Sequence, residues 1–305
     1  MRLLSRWGFL TLVGGLVVLL VGGVALARKA RPRLWFLYAT TPLSPTGYDQ
    51  LAARTGWAKS RLAMGDGTSL SGLVSRPAAA DAPWVVFFPG NDATQLARGQ
   101  LLLERIRGDH AWGLAVYASR GYDASEGVPG PAASAADASE VLAQLMRQYQ
   151  LLPAQLHLVA FSLGGYSALH AMKDAAQQSR PLASVSLLAS VARIAMVHAG
   201  FWGKFGAGDV YDVLPILPQV PGPVLIVQGD ADEAFGDVGQ GRQLAEGLGE
   251  RGRYVQLEGA GHSSLLENDA AISAARAMIE AHATLGQPAA PGSSAKSAAA
   301  EASRP

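Results

Sequence analysis

The chain has 305 residues, and 49% of them are apolar, which is enough for one large folded domain with terminal extensions. Its 25 basic and 24 acidic residues leave a net charge of +1, and no basic stretch is interleaved with aromatic residues, which argues against a nucleic-acid partner. The absence of cysteine excludes disulfides, a thiolate nucleophile and a cysteine-ligated metal site. The sequence indicates no cofactor and no metal, and it does not identify protein partners.

The N-terminal stretch 7–27 contains 21 residues without a charge and is flanked by basic residues on both sides. Because about 20 apolar helical residues cross a bilayer, we expect residues 1–33 to form a single-pass membrane anchor. The alternative is a cleaved secretory signal ending at Ala27, but signal peptides carry only about 7–15 apolar residues. The basic flanks nearly balance: those after the segment favour a cytoplasmic domain, whereas the signal-like start favours export, and we prefer a periplasmic or outer location.

After a connector at 34–57, apolar runs separated by turn residues predict alternating strands and helices. Asp66 and Gly67 lie between two strands within 61–74 and predict an antiparallel hairpin. Further strands are expected at 84–88, 113–118, 156–161, 183–189, 223–228 and 253–257, and helices at 96–106, 131–149, 238–248 and 265–284, with one more opening at Gly164. This alternation predicts a mostly parallel sheet with helices on both faces.

Two segments fall outside this alternation. Residues 190–222 form an insertion with several aromatic residues and prolines, and its length suggests a small lid rather than a domain. The tail 286–305 is rich in alanine, serine, proline and glycine, a composition typical of disorder. The folded domain is therefore expected to span 58–285.

The stretch Leu156–Tyr166 carries the first chemical signal. An apolar strand ends at Phe161, Ser162 follows, and Gly164 and Gly165 open a helix. A sharp strand-to-helix turn of this kind projects a serine from the edge of a sheet, next to the backbone N–H groups of the helix N-terminus. The pattern also fits an ordinary strand-to-helix turn, so the assignment of Ser162 as a nucleophile depends on its partners.

A serine hydroxyl needs an imidazole to take its proton and an acid to orient that imidazole. Of the six histidines, His262 alone lies in a glycine-flanked loop after the last strand, at the edge to which Ser162 also points. Asp230 and Asp232 both follow the preceding strand, and the order serine, aspartate, histidine is the expected one. We prefer Asp232 as the acid, with Asp230 as a turn former and Glu233 as a third candidate.

The negative charge that forms on an attacked carbonyl oxygen needs two hydrogen-bond donors. The N–H of Leu163, directly after the serine, is one candidate. The second is expected from the loop that follows the strand at 84–88, and we assign it to the N–H of Asn91. Taken alone, that loop also fits a simple turn.

Five motifs in this order resemble the α/β-hydrolase superfamily, and specifically its serine-aminopeptidase-like branch, over residues 58–284: FFPGN at 87–91, SRGYDASEG at 119–127, AFSLGG at 160–165, QGDAD at 228–232 and GAGH at 259–262. The resemblance implies an α/β-hydrolase fold, with Ser162 as nucleophile, Asp232 as acid and His262 as base. Three positions depart from the usual pattern: Pro89 replaces a histidine, Ala160 a glycine, and Asp123 a glycine.

We therefore expect a membrane-anchored serine hydrolase that cleaves an ester or thioester of a small or acyl-chain substrate through an acyl-enzyme. The sequence shows no charged pocket for a peptide amine, which favours an esterase over a peptidase. The alternatives are an aminopeptidase-like amidase and a non-catalytic α/β-hydrolase scaffold used for binding, because this superfamily hosts many activities.

Overall fold

The computed structural model describes residues 36–197, 208–235 and 238–283, together with the pairs 14–15, 18–19 and 22–23. The membrane-anchor prediction was wrong: within these described residues no helix is both long enough and apolar enough to span a bilayer. The rest of 7–27, like the tail 286–305, lies outside the described residues. The membrane location that rested on the anchor is corrected with it.

The described strands, numbered in chain order, are β1 Phe36–Leu37, β2 Ala58–Ala63, β3 Ser69–Ser75, β4 Trp84–Phe88, β5 Gly113–Tyr117, β6 Leu156–Phe161, β7 Ser184–Leu188, β8 Arg193–Val197, β9 Gly208–Asp212, β10 Val224–Gly229 and β11 Gly252–Leu257. The described α-helices are α1 Pro45–Ala52, α2 Gln95–Arg107, α3 Pro131–Tyr149, α4 Gly164–Gln177, α5 Gly239–Leu248 and α6 Asp269–His282.

Eight strands form one sheet in the order β11-β10-β7-β6-β4-β5-β3-β2. The β2–β3 and β3–β5 pairs are antiparallel, and all other pairs in this sheet are parallel. Every residue of the central strands β4, β6, β7 and β10 is buried, as expected for parallel strands covered on both faces. Helix α3 packs on α4, and α2 packs on α6. The predicted mostly parallel sheet with helices on both faces is confirmed.

The predicted strands and helices match the observed ones to within a residue or two, except at the start of β2, in the connector, near the C-terminus and in the insertion, where β8 and β9 were not predicted. A helix was expected from residue 265, but α6 begins at Asp269, because the side chain of Asn268 accepts hydrogen bonds from the N–H groups of Ala270 and Ala271. The preceding Ser263–Leu266 forms a 3₁₀ turn. In the connector, α1 was not predicted, and its first turn is capped by Ser44.

The segment predicted as a lid-like insertion, 190–222, contains the antiparallel pair β8–β9, and residues 198–207 between them lie outside the described part. Strand β1 pairs in parallel with β8, so the start of the connector joins the insertion in a second, three-stranded sheet. Gln240 of α5 accepts hydrogen bonds from the N–H groups of Ala192 and Arg193 and fixes the base of this hairpin. A lid function for the segment stays a prediction.

Helix α4 starts almost in contact with the end of β4. A Cβ atom on Gly164 would lie 2.0 Å from the carbonyl oxygen of Phe88, so only glycine fits there. This close approach brings the loop after β4 beside the first turn of α4.

Replacement of Gly164 by alanine is expected to lower the free energy of unfolding by about 3 kcal/mol, because the clash is with backbone that cannot rotate away. Urea unfolding measures the change. Gly65→Ala is the control, since the nearest atom to its added Cβ would be Glu140 Oε2 at 3.9 Å. Equal losses in the two variants would contradict the steric explanation.

Candidate active site

Ser162 occupies the turn between β6 and α4. Its backbone has a φ of +51°, a left-handed conformation that is rare outside glycine and is found where structure holds a functional side chain in place. The Ser162 N–H donates to the carbonyl of Leu188 at 2.9 Å, which ties the turn to β7. Ala160, the departure from glycine in the motif, is fully buried within β6 and fits there.

His262 comes from the loop after β11 and lies between the other two predicted residues. Its Nε2 is 3.0 Å from Ser162 Oγ, and its Nδ1 is 2.9 Å from Asp232 Oδ2. The rings of Phe161 and Phe235 pack against the imidazole, with centroids 4.9 and 5.0 Å away. The imidazole is therefore held by packing as well as by its two polar contacts.

Asp232 follows β10, and its side chain is fully buried. Oδ1 accepts hydrogen bonds from the N–H groups of Ala234 and Phe235, and Oδ2 accepts one from Gln228 Nε2 at 2.6 Å. Together with the His262 contact, these donors replace the water that an ionised carboxylate would lose on burial.

The two alternative acids have other contacts. Asp230 Oδ1 accepts from the N–H of Gly259 at 2.7 Å and so ties the β10 turn to the histidine loop. Glu233 Oε2 accepts from the backbone N–H of His262 at 2.8 Å, a bond that lowers the pKa of Glu233. Both support the loop that carries His262, and only Asp232 contacts its imidazole among these three.

The other histidines that the structure describes do not contact this group. His198 lies outside the described residues. The others contact partners elsewhere: His110 with Glu280, His157 with Ser184, His170 with Tyr166 and His282 with the carbonyl of Met278.

The two predicted oxyanion donors lie beside Ser162. Leu163 is at the N-terminus of α4, where the first N–H groups have no partner within the helix. Asn91 follows β4, and Asn91, Leu163 and Ser162 line the same cavity. The neighbouring Gly90 is so close that an added Cβ would lie 2.9 Å from the Cβ of Ser162. The two loops therefore converge on one side of the serine.

The cavity beside Ser162 has a volume of about 90 Å³. The loop 89–92 after β4 is here called the oxyanion loop, after its predicted role. The cavity wall away from it is apolar and comes from Val191, Ile194, Met196, Ala234 and Phe235. These residues were not predicted, because no motif marks them in the sequence. They reach the site only through the pairing of β8 and the turn after Asp232.

Asp123, another departure from the motif, also has a left-handed backbone, with a φ of +49°. This conformation explains why glycine suits the position. The Asp123 carboxylate accepts a 2.7 Å hydrogen bond from the N–H of Leu96 at the start of α2. Burial raises its pKa to about 6, and the charge of Asp92 adds to that rise.

Since the pKa of Asp123 is raised from 3.8 to about 6, its contribution to stability is present below pH 3.8 and is lost as the pH rises through 6. Asp123→Asn keeps an acceptor for Leu96 and carries no charge. From pH 4 to pH 8 the variant should gain stability relative to the parent by on the order of 2–3 kcal/mol. Urea unfolding at both pH values tests this, and a pH-independent difference would refute it.

No protein-family model matches the chain, and no curated protein sequence matches it. Solved structures do resemble it. A putative hydrolase from Agrobacterium vitis S4 is 17% identical, with a TM-score of 0.55 over 74% of this chain and 98% of that one. The Pyrococcus furiosus esterase Pf2001 is 10% identical, with a TM-score of 0.59 over 78% and 94%. An esterase from Rhodococcus sp. ECU1013 is 16% identical, with a TM-score of 0.57 over 73% and 99%.

At these identities the likeness establishes the fold, and this chain has the α/β-hydrolase fold. Membership of the serine-aminopeptidase-like branch stays a prediction.

Proposed function

We propose that this protein is a serine hydrolase that cleaves a carboxylic ester or thioester through an acyl-enzyme. The observation that carries the proposal is the continuous contact from Ser162 Oγ to His262 Nε2 at 3.0 Å and from His262 Nδ1 to Asp232 Oδ2 at 2.9 Å. A serine, an imidazole and a buried carboxylate in this arrangement can activate the hydroxyl as a nucleophile.

In the proposed acylation step, Ser162 Oγ attacks the carbonyl carbon of the substrate and His262 Nε2 takes the hydroxyl proton. The carbonyl oxygen becomes an oxyanion and accepts hydrogen bonds from the N–H groups of Leu163 and Asn91. The bond to the alcohol or thiol then breaks, and His262 gives its proton to that leaving group. In the second step, water attacks the acyl-serine, with His262 again taking and returning one proton, and releases the carboxylic acid.

The carboxylate of Asp232 holds the Nδ1–H tautomer of His262 and stabilises the imidazolium that forms in each step. Its burial supports this role, because the attraction between two charges is stronger where water is excluded. Phe161 and Phe235 contribute to this exclusion by covering the imidazole.

The lining of the cavity favours an ester or thioester over an N-terminal peptide. Among its described lining residues none is a carboxylate, which is the group that binds a peptide ammonium. The esterases among the structural neighbours agree with this choice. An apolar wall next to the nucleophile suits the acyl portion of the substrate.

A fluorophosphonate probe is expected to label the wild-type protein covalently at Ser162. Ser162→Ala and His262→Ala should lose the label, because the first removes the attacking oxygen and the second its base. Ser139→Ala is the control, since Ser139 lies on helix α3 and its hydroxyl donates to Asp174 on α4, outside the site. Intact-mass spectrometry and circular dichroism report labelling and folding.

A panel of p-nitrophenyl esters and aminoacyl anilides then separates the alternatives. Folded wild-type protein that neither takes the label nor turns over any ester would favour a non-catalytic binding scaffold. Turnover confined to the anilides would favour an aminopeptidase-like amidase.

The acyl chain is expected to be short. An apolar cavity of about 150 Å³ holds benzene, and this one measures about 90 Å³, which suits acyl groups of roughly two to four carbons. The kcat/KM for p-nitrophenyl esters should therefore peak at acetate to butyrate and fall for longer chains.

Met196→Ala removes part of the cavity wall and is expected to move the optimum towards longer acyl chains. Each additional buried methylene contributes about 0.8 kcal/mol, or roughly a fourfold gain in kcat/KM for the longer ester. Val210→Ala is the matched control, because Val210 lies on the neighbouring strand β9 and is 48% exposed. An unchanged chain-length profile in Met196→Ala would refute the assignment of this wall.

A further inference from the structure

Residues 36–43, here called the N-terminal strap, contact the oxyanion loop of the candidate active site although they precede the eight-stranded sheet. At one end, Phe36 and Leu37 pair with Met196 and Val197 of β8. At the other end, the carbonyl of Thr41 accepts a hydrogen bond from the N–H of Asp123 at 3.1 Å. The Leu43 N–H donates to the carbonyl of Asp123 at 2.8 Å. The strap therefore joins the hairpin of the insertion to the loop after β5.

Between these ends, the strap contacts the oxyanion loop through the side chain of Asn91. The Ala39 N–H donates to Asn91 Oδ1 at 2.6 Å, and the Tyr122 hydroxyl donates to the same oxygen at 2.6 Å. Tyr122 is 2% exposed. Burial raises the pKa of Tyr122, so its hydroxyl keeps the proton that it donates. Two short bonds from different segments hold one side-chain oxygen.

The position of this side chain matters because the backbone N–H of the same residue is the proposed second oxyanion donor. Such a donor acts only if it already points to where the oxyanion forms. A displacement of about 1 Å is enough to cost a large part of the rate. Asn91 follows the end of β4 by three residues, so its orientation depends on contacts outside the sheet.

We propose that Tyr122 and the N-terminal strap are positioning elements of the active site, which fix the oxyanion loop by donating two hydrogen bonds to the Asn91 side chain. This inference rests on the proposed function. Tyr122 acts through Asn91 and does not contact the reacting atoms.

The strap also ties the oxyanion loop to the apolar wall of the cavity. The Tyr38 hydroxyl donates to Asp209 Oδ2 at 2.7 Å and lies 2.9 Å from the hydroxyl of Tyr211, both on β9. The residue paired with Phe36 is Met196, which lines the cavity. One short segment thus fixes the oxyanion donor and the acyl wall relative to each other.

Tyr122→Phe tests the proposal, because it removes one of the two donors and keeps the buried ring. Since loss of a whole oxyanion donor costs about 10²–10³ in rate, displacement of one should lower kcat by about tenfold. The KM for p-nitrophenyl butyrate should change by less than about twofold, because the bond to Asn91 serves the transition state.

The matched control is Tyr117→Phe. Tyr117 is also buried, and its hydroxyl bonds to Ser60 Oγ at 2.6 Å, away from the oxyanion loop. Both variants should show comparable decreases in melting temperature. Only Tyr122→Phe should lose kcat.

An alkyl trifluoromethyl ketone gives a further measurement, since its adduct with the serine carries an oxyanion in the same place as the transition state. The inhibition constant of this ketone should rise in Tyr122→Phe by the same factor by which kcat/KM falls, and it should not rise in Tyr117→Phe. Equal kinetics and equal ketone affinity in the two variants, with an active wild type, would overturn the inference. A wild-type protein inert to esters and to the fluorophosphonate would instead overturn the proposed function.

Discussion

The hydrogen bond between Ser162 and His262 joins residues that are 100 positions apart, and the geometry of the whole site depends on it. It forms because β6, β10 and β11 run parallel, so the loops that follow them meet at one edge of the sheet. Each of these loops is then fixed by its own contacts. The turn at Ser162 is bonded to β7, and the His262 loop is bonded to Asp230 and Glu233.

The buried carboxylate of Asp232 is the second constraint. An ionised group without water is costly unless donors surround it, and here four hydrogen bonds do so. Two of these donors are the N–H groups of Ala234 and Phe235, whose side chains also line the cavity. Solvation of the acid and shaping of the cavity therefore use the same short turn. Because one turn both bonds to the carboxylate and lines the cavity, the position of Asp232 and the shape of the cavity are fixed together before a substrate binds.

The connector is part of the same packed unit as the sheet. Its helix α1 contributes Tyr48, whose hydroxyl donates to the carbonyl of Gly72 in β3 at 2.6 Å. The N-terminal strap contacts the oxyanion loop and the hairpin of the insertion. A boundary at residue 58 follows the start of the sheet, but it separates residues 36–57 from elements with which they share hydrogen bonds.

The sequence by itself determined the alternation of strands and helices, because buried parallel strands such as Trp84–Phe88 have continuous apolar runs that end in glycine or proline. It also indicated Ser162, Asp232 and His262 as partners, since their local patterns place each of them after a strand. Prediction from the sequence was wrong or incomplete where the local signals were weak or ambiguous. This was the case at the start of α6, in α1, and over the apolar stretch 7–27.

Only the tertiary structure decided which side chains share the cavity wall and what holds Asn91. Met196, Tyr122 and Ala39 are far apart in sequence and carry no motif, and their contacts arise from strand pairing and loop packing across the fold. Periodicity reports which face of an element is buried, but it does not report which distant segment covers that face. That is the physical reason why Ser162, Asp232 and His262 were visible in the sequence and their supporting contacts were not.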